Sequence, residues 1–245
     1  MDNPLKEAIV LAGGMGTRLQ GVVADVPKPM AMVAEKPFLS YLLDYCLVSR
    51  IEKVVLAVGY KYEVIQKFYG NQYKELRLEY AVEEEPLGTG GAIWNAFQFI
   101  TSDTVLLLNG DSVFFVDIQK FYLNHIQNKA DISLALKQMC HFDRYGTVEL
   151  FQNRIIHFQE KQPTKQGFIN AGVYLINKDM ILKYPQNNKF SFEKDILEKY
   201  IHQLNLIGFV NDGYFIDIGI PDDFYRAQKE LQSEGDCFSP ISPMD

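Results

Sequence analysis

Short apolar runs and amphipathic stretches alternate through the first half of the chain. Residues 7–12, 53–59, 76–82 and 104–109 are strand-like, rich in Ala, Val, Leu and Ile. Between them, residues 37–49, 62–69 and 90–100 carry apolar positions at helical spacing. Pro37 stands near the first position of its helix, where a missing N–H costs nothing. This alternation predicts an α/β fold with a mostly parallel sheet covered by helices on both faces. Ligands of such sheets bind beyond the carboxyl ends of the strands, where residues 13–30, 84–91 and 110–112 would gather.

From about residue 131 the pattern changes. Residues 131–139, 146–150, 154–160 and 168–177 read as strands joined by short turns, a small antiparallel or mixed insertion rather than further βαβ units. Helical patterns return at 192–202 and 222–233. The last residues, with Pro240 and Pro243, read as a loosely ordered tail. The expected organisation is one domain over 1–235 followed by a tail over 236–245. No internal repeat is found, and no hexapeptide repeat follows residue 235, so no β-helical domain is expected there.

Composition narrows the class. The 245 residues suffice for one large α/β domain or two small ones with a full core. An apolar content of 47% with 22% charged residues is that of a soluble globular protein. A net charge of −7 argues against a general nucleic-acid binder and points local cations toward a small anionic ligand. Cys46, Cys140 and Cys237 are far apart with no CxxC pair, which fits a reducing compartment and no zinc site. His125, His141, His157 and His202 are scattered. The first residues lead directly into a strand, leaving no room for a signal peptide. No apolar run approaches the ~18 residues needed to span a bilayer. The expected location is the cytoplasm.

The richest chemistry lies in Leu11-Ala12-Gly13-Gly14-Met15-Gly16-Thr17-Arg18-Leu19, followed by Pro27-Lys28-Pro29. Glycines admit a ligand to the backbone, and unpaired N–H groups there make a concave anion site. Arg18 and Lys28 add a planar fork and a point charge. A Walker loop is absent, and the dinucleotide fingerprint lacks its third glycine because Leu19 stands there. Asn109-Gly110-Asp111 ends an apolar strand on the same rim, placing Asp111 either in a simple turn or on Mg²⁺. Asp217, flanked by isoleucines before a Gly-x-Pro turn, needs a cation or metal partner. A second glycine loop, Glu84-Glu85-Pro86-Leu87-Gly88-Thr89-Gly90-Gly91, opens a helix and can approach a base or ribose. Its acidic residues equally suit a helix N-terminus. Glu160-Lys161, Asn170 and Tyr145-Gly146 offer a second phosphate contact and sugar-reading groups, or surface positions.

In this order these motifs resemble the nucleoside-diphosphate-sugar pyrophosphorylases, the sugar-1-phosphate nucleotidylyltransferases, from Glu7 to about Lys229. Within them, Val26-Pro27-Lys28-Pro29-Met30, Ser191-Phe192-Glu193-Lys194-Asp195 and Phe215-Ile216-Asp217-Ile218-Gly219-Ile220-Pro221 look most like the members that transfer guanylyl groups to D-glycero-α-D-manno-heptose 1-phosphate. The resemblance implies a Rossmann-like, GT-A-like nucleotidyltransferase fold. It implies that Leu11, Ala12, Gly13, Gly14, Gly16 and Thr17 cradle the nucleotide with Pro86, Gly88 and Thr89. Arg18 would then meet the β/γ-phosphates, Lys28 the α-phosphate and Lys161 the sugar phosphate. Asp111 and Asp217 would hold Mg²⁺, while Asn109, Tyr145, Gly146, Glu160 and Asn170 would face the sugar. Gly21 and Val23 replace the Pro and Thr that many members carry.

Glu83 stands where the family commonly reads the base with glutamine. A carboxylate only accepts, and guanine presents two adjacent donors where uracil and thymine present one, so Glu83 selects guanine or merely braces a helix. The implied reaction joins GTP and a sugar 1-phosphate, releasing pyrophosphate, with no nucleic-acid or membrane partner; a homodimer is compatible with it. The rivals are another sugar or base, mannose 1-phosphate or uridylyl transfer included, and a non-catalytic nucleotide-sugar-binding regulatory subunit.

Overall fold

The unbroken apolar run after Glu7 forms strand β1 (Glu7–Leu11), and its side chains divide between two cores. Ala8 and Val10 pack on one face of the sheet and Ile9 on the other. Side chains alternate along a strand, so a strand apolar at every position needs cover on both faces. The protein is seen here as a computed structural model that describes residues 5–14, 26–184 and 189–233.

After β1 the chain makes a small ribbon, Met32–Val33 (β2) with Lys36–Pro37 (β3), and enters helix Phe38–Val48 (α1). Lys53–Val58 (β4), Tyr62–Tyr69 (α2), Gln72–Tyr73 (β5), Leu76–Val82 (β6), Gly88–Ala96 (α3) and Thr104–Asn109 (β7) follow. Next come Ser112–Phe114 (β8), Ile118–Gln127 (α4), Ile132–Phe142 (β9), Thr147–Phe151 (β10) and Arg154–Gln159 (β11). Thr164–Asn177 (β12), Lys178–Ile181 (α5), Leu206–Val210 (β13), Phe215–Asp217 (β14) and Pro221–Ser233 (α6) complete the described elements.

Ten strands form one sheet in the order β10-β11-β13-β9-β12-β7-β1-β4-β6-β5. β1 runs parallel to β4 and β7, and β4 parallel to β6. β12 then pairs antiparallel with β7 and β9, so the antiparallel strands continue the same mixed sheet. Residues of α1, α4 and α6 pack in the core with Ala8 and Val10, and those of α3 in the core with Ile9. The outcome is a mixed α/β sheet with helices on both faces.

One helical expectation differs from the structure, and one helix carries no expectation at all. The helix expected over 192–202 is a shorter π-helical segment, Glu193–Glu198. The chain turns at Tyr200, and the Asp131 N–H donates to Asn205 O at 3.0 Å, which starts β13 beside β9. Helix α4 shows no clear sequence pattern because its buried stripe is only Ile118, Phe121 and His125, while Leu123 and Ile126 are exposed.

His125 in α4 is buried, with Nδ1 2.8 Å from Ser133 Oγ. Burial lowers its pKa to about 4. Because the unfolded chain binds this proton near pH 6.5 and the folded chain does not, stability falls as pH drops from about 6.5 to 4. That difference is worth about 3 kcal/mol. Urea unfolding of the wild type and His125→Gln at pH 7, 5.5 and 4 checks this. Equal acid sensitivity in both proteins contradicts it.

Candidate active site

The parallel strands β1, β4, β6 and β7 end on one rim at Leu11, Val58, Val82 and Asn109. The residues just beyond them enclose a cavity of about 570 Å³, whose walls include Gly13, Gly14, Gly59, Tyr60, Glu83, Pro86, Gly88, Thr89 and Gly110. A second cavity of about 440 Å³ lies on the antiparallel side, walled by Arg144, Tyr145, Lys161, Asn170, Gly172 and Asp217. Gly14, Lys28, Asn109 and Asp111 line both cavities. The rim therefore carries one cleft with two halves, and Lys28 and Asp111 stand at their junction.

Lys28 opens a short 3₁₀ turn, Lys28–Met30, anchored by buried Pro29 and Met30. Its Nζ donates to Asp111 Oδ2 at 2.8 Å, the lysine side chain being 12% exposed and the aspartate 45%. Asp111 reaches this place because Gly110 passes the end of β1, donating to Leu11 O at 3.0 Å. A Cβ at Gly110 would lie 2.2 Å from that carbonyl oxygen, so only glycine fits. Asp217 ends β14, which pairs with β8 so that Asp217 opposes Ser112. The Gly219 N–H donates to Asp217 Oδ1 at 2.6 Å. Burial lifts the Asp217 carboxyl above its ordinary range and the Asp111 charge adds to this, against the pull of Lys28 and the Gly219 N–H. A Cβ on Gly219 would meet Asp217 Oδ1 at 2.8 Å and Lys28 Nζ at 3.4 Å, so the ammonium and both carboxylates face one spot.

Two carboxylates against one ammonium leave that spot short of positive charge. It suits a divalent ion of the kind that takes one or two protein carboxylates and completes its shell with phosphate oxygens and water. Among the described residues no group of three or more His, Cys, Asp or Glu forms a closed metal site. The donor set thus fits a metal held jointly with a substrate rather than a caged one.

In the first cavity, Glu83 Oε2 accepts from the Leu87 N–H at 2.9 Å. Its Oε1 lies 3.2 Å from the place a Gly13 Cβ would occupy, and burial raises its pKa. Leu11 lines the cavity, while Ala12 is buried outside it. Gly16, Thr17 and Arg18 lie outside the described residues. The second glycine loop has a constraint not visible in its own sequence. Gly88, at φ +73°, and Gly90 press against Phe190, whose backbone oxygen and ring a Cβ would meet at 2.5 and 2.2 Å. Thr89 Oγ1 donates to Glu193 Oε2 at 2.8 Å, tying this loop to the 189–195 segment.

Beside the second cavity, β12 carries a bulge between Asn170 and Tyr174. Gly172 sits in it at φ +79°, and a Cβ there would come within 2.8 Å of Asn109 Nδ2 and Ser112 Oγ. The bulge turns Asn170 into the cavity, but its amide is engaged internally: Nδ2 donates to Tyr174 Oη at 2.8 Å and Oδ1 accepts from Gly172 N at 3.2 Å. Tyr145 Oη donates to Asp217 Oδ2 at 3.3 Å. Gly146 packs under Gln159 O, which a Cβ would approach to 2.5 Å. Glu160 is strongly exposed, lines neither cavity and faces Lys194 at 3.7 Å. Sequence reasoning missed Arg144, which lines the second cavity one residue before the Tyr145-Gly146 pair.

Comparison with known proteins shows the family. The chain is 50% identical over 92% of its length to D-glycero-alpha-D-manno-heptose 1-phosphate guanylyltransferase of Aneurinibacillus thermoaerophilus, covering 98% of that protein. It is 45% identical over 90% of its length to the protein of the same name in Campylobacter jejuni, covering 97% of it. The crystal structure of HddC from Yersinia pseudotuberculosis complexed with GMP-PN superposes with a TM-score of 0.81 at 34% identity, over 93% of this chain and all of that one. The sequence model of the nucleotidyl transferase family matches residues 7–234. With its glycine rim, its junction lysine and its two facing aspartates, the chain belongs to the nucleotidyl transferase family.

Proposed function

We propose that the chain joins GTP and D-glycero-α-D-manno-heptose 1-phosphate to give GDP-heptose and pyrophosphate. The observation that carries this reading is the junction of two cavities at Lys28, Asp111 and Asp217, where a nucleotide phosphate and a sugar phosphate would meet. The names and lengths of the two relatives above support the choice of GTP and the heptose.

In the proposed reaction an oxygen of the sugar phosphate attacks the α-phosphorus of GTP in line. The new O–P bond forms as the bond to the bridging oxygen of pyrophosphate breaks. The attacking phosphate is already largely ionised at neutral pH, so no general base is required; no histidine lines either cavity among the described residues. Lys28 meets the α-phosphate, Lys161 the sugar phosphate and Arg18 the β/γ-phosphates. The glycines of residues 13–16 bring the backbone to the nucleotide. Asp111 and Asp217 would hold Mg²⁺, which when bound supplies charge neutralisation between the phosphates. Catalysis by this chain is then positioning and the suppression of repulsion between two polyanions. A GTP-consuming reaction suits the cytoplasm, and no helix among the described residues is long and apolar enough to cross a membrane.

Pyrophosphate release, measured over a panel of nucleoside triphosphates and sugar 1-phosphates, tests the reading; GTP with the heptose 1-phosphate is expected to give the highest kcat/KM. Glu83 is the group we assign to guanine: its Oε1, and the second lone pair of the Oε2 that accepts from the Leu87 N–H, match guanine's two donors. Glu83→Gln keeps an acceptor for the Leu87 N–H but offers guanine a mismatched donor. It is expected to reduce the GTP-over-UTP preference at least about tenfold, the scale of losing one bidentate base contact. An unchanged preference removes Glu83 from base selection.

A further inference from the structure

Resting on the acceptor reading above, we propose that Arg144 binds the phosphate of the sugar 1-phosphate, as a third cation of the sugar-side cavity beside Lys28 and Lys161. The guanidinium lines that cavity. Its Nη2 donates to Tyr145 Oη at 2.9 Å and to the carboxylate of Asp223. The guanidinium carbon stands 5.3 Å from the centroid of the Tyr145 ring. Tyr145 Oη in turn donates to Asp217 Oδ2, so the fork lies one hydroxyl away from the carboxylate at the junction. These contacts use one nitrogen of the fork; the other N–H groups have no partner among the described residues.

The clamp on Arg144 is built from the turn that also positions Asp217. Asp217 stops β14, the chain turns through Gly219 and Pro221, and α6 begins with Asp223 in its first turn. Asp223 is only 8% exposed, and Arg226 also approaches it, at 3.4 Å. A carboxylate buried this far must be paired, and its pairing fixes the arginine. A guanidinium fixed in this way presents a planar fork that matches two phosphate oxygens and loses little freedom on binding. Lys28, Lys161 and Arg144 converge on this cavity, with Asp111 and Asp217 in its wall and Asp223 behind the guanidinium. Two ammonium groups and a planar fork suit a phosphate monoester better than a neutral sugar ring.

The alternative role is purely structural, with Arg144 present only to neutralise Asp223, and the two roles separate in one set of variants. KM for the sugar 1-phosphate and KM for GTP are measured separately by pyrophosphate release, with thermal midpoints alongside. Arg144→Lys, which keeps the charge and loses the fork, is expected to raise the acceptor KM about tenfold or more and leave KM for GTP within about twofold, the scale of one charge-assisted contact. Arg144→Gln with Asp223→Asn removes both members of the buried pair; it is expected to recover the wild-type midpoint but not the acceptor KM. Recovery of the acceptor KM in that double variant, or an equal rise in both KM values for Arg144→Lys, overturns the assignment. A wild-type protein that releases no pyrophosphate with any sugar 1-phosphate overturns the acceptor reading itself, independently of the variants.

Discussion

Lys28→Ala is expected to lower turnover by about 10²–10³-fold while the thermal midpoint stays close to that of the wild type, the cost of losing one electrostatic contact to a transition state. The ammonium is nearly buried and stands where both halves of the cleft meet. In the proposed reaction it would act where repulsion between the two phosphates is greatest, in a setting that screens charge less than water does. The fold does not depend on it. Its turn is held by buried Pro29 and Met30, and the carboxylate it pairs with is 45% exposed. Single-turnover pyrophosphate release beside thermal melting checks both halves of the expectation. Turnover near the wild-type value removes Lys28 from the mechanism.

Asp217→Asn is expected to give a loss of about the same size, 10²–10³-fold, with the opposite sign on stability. The folded-state pKa of Asp217 is raised, chiefly by burial and then by the Asp111 charge. A raised carboxyl pKa means that the ionised form is disfavoured in the folded protein relative to the unfolded chain. At neutral pH that ionised form opposes folding, and the opposition vanishes as pH falls below the ordinary carboxylate range, about 3.9. Asparagine keeps the shape and removes the charge. The variant should melt at or above the wild-type temperature while losing activity, a trade of stability for function at one side chain. A variant that is both less stable and fully active contradicts the placement of this carboxylate.

Elements whose signal is local were legible in the sequence. β6, β7 and α2 coincide with the expected ranges because each is bounded by its own turn residues and covered on a definite face. Lys28, Asp111 and Asp217 were legible as a set because each sits at a strand end or in a proline-framed turn, where side chains of that chemistry have few other uses. What the sequence concealed depends on distant partners. Arg144 stands in no motif, and what holds it is Asp223, 79 positions away. Gly88 and Gly90 read as room for a ligand, yet part of the demand for glycine comes from Phe190. Glu160 follows the end of an alternating strand, where the pattern no longer says which way a side chain faces, and it proves exposed. Strand β13 was hidden by its length and by Gly208, where a Cβ would strike Leu136 and Leu150.

The division of the cleft between the parallel and antiparallel parts of one sheet has a consequence for protein engineering. The cavity proposed for the nucleotide donor is walled by residues that follow β1, β4, β6 and β7, and the one proposed for the acceptor by β12, the Arg144–Tyr145 segment and the turn after β14. Altering the loop at Glu83 should leave acceptor choice untouched, and altering the bulge at Asn170 should leave donor choice untouched. Libraries built on the two regions can be screened apart and then recombined, with Gly14, Lys28, Asn109 and Asp111 held constant as the shared hinge of both selections.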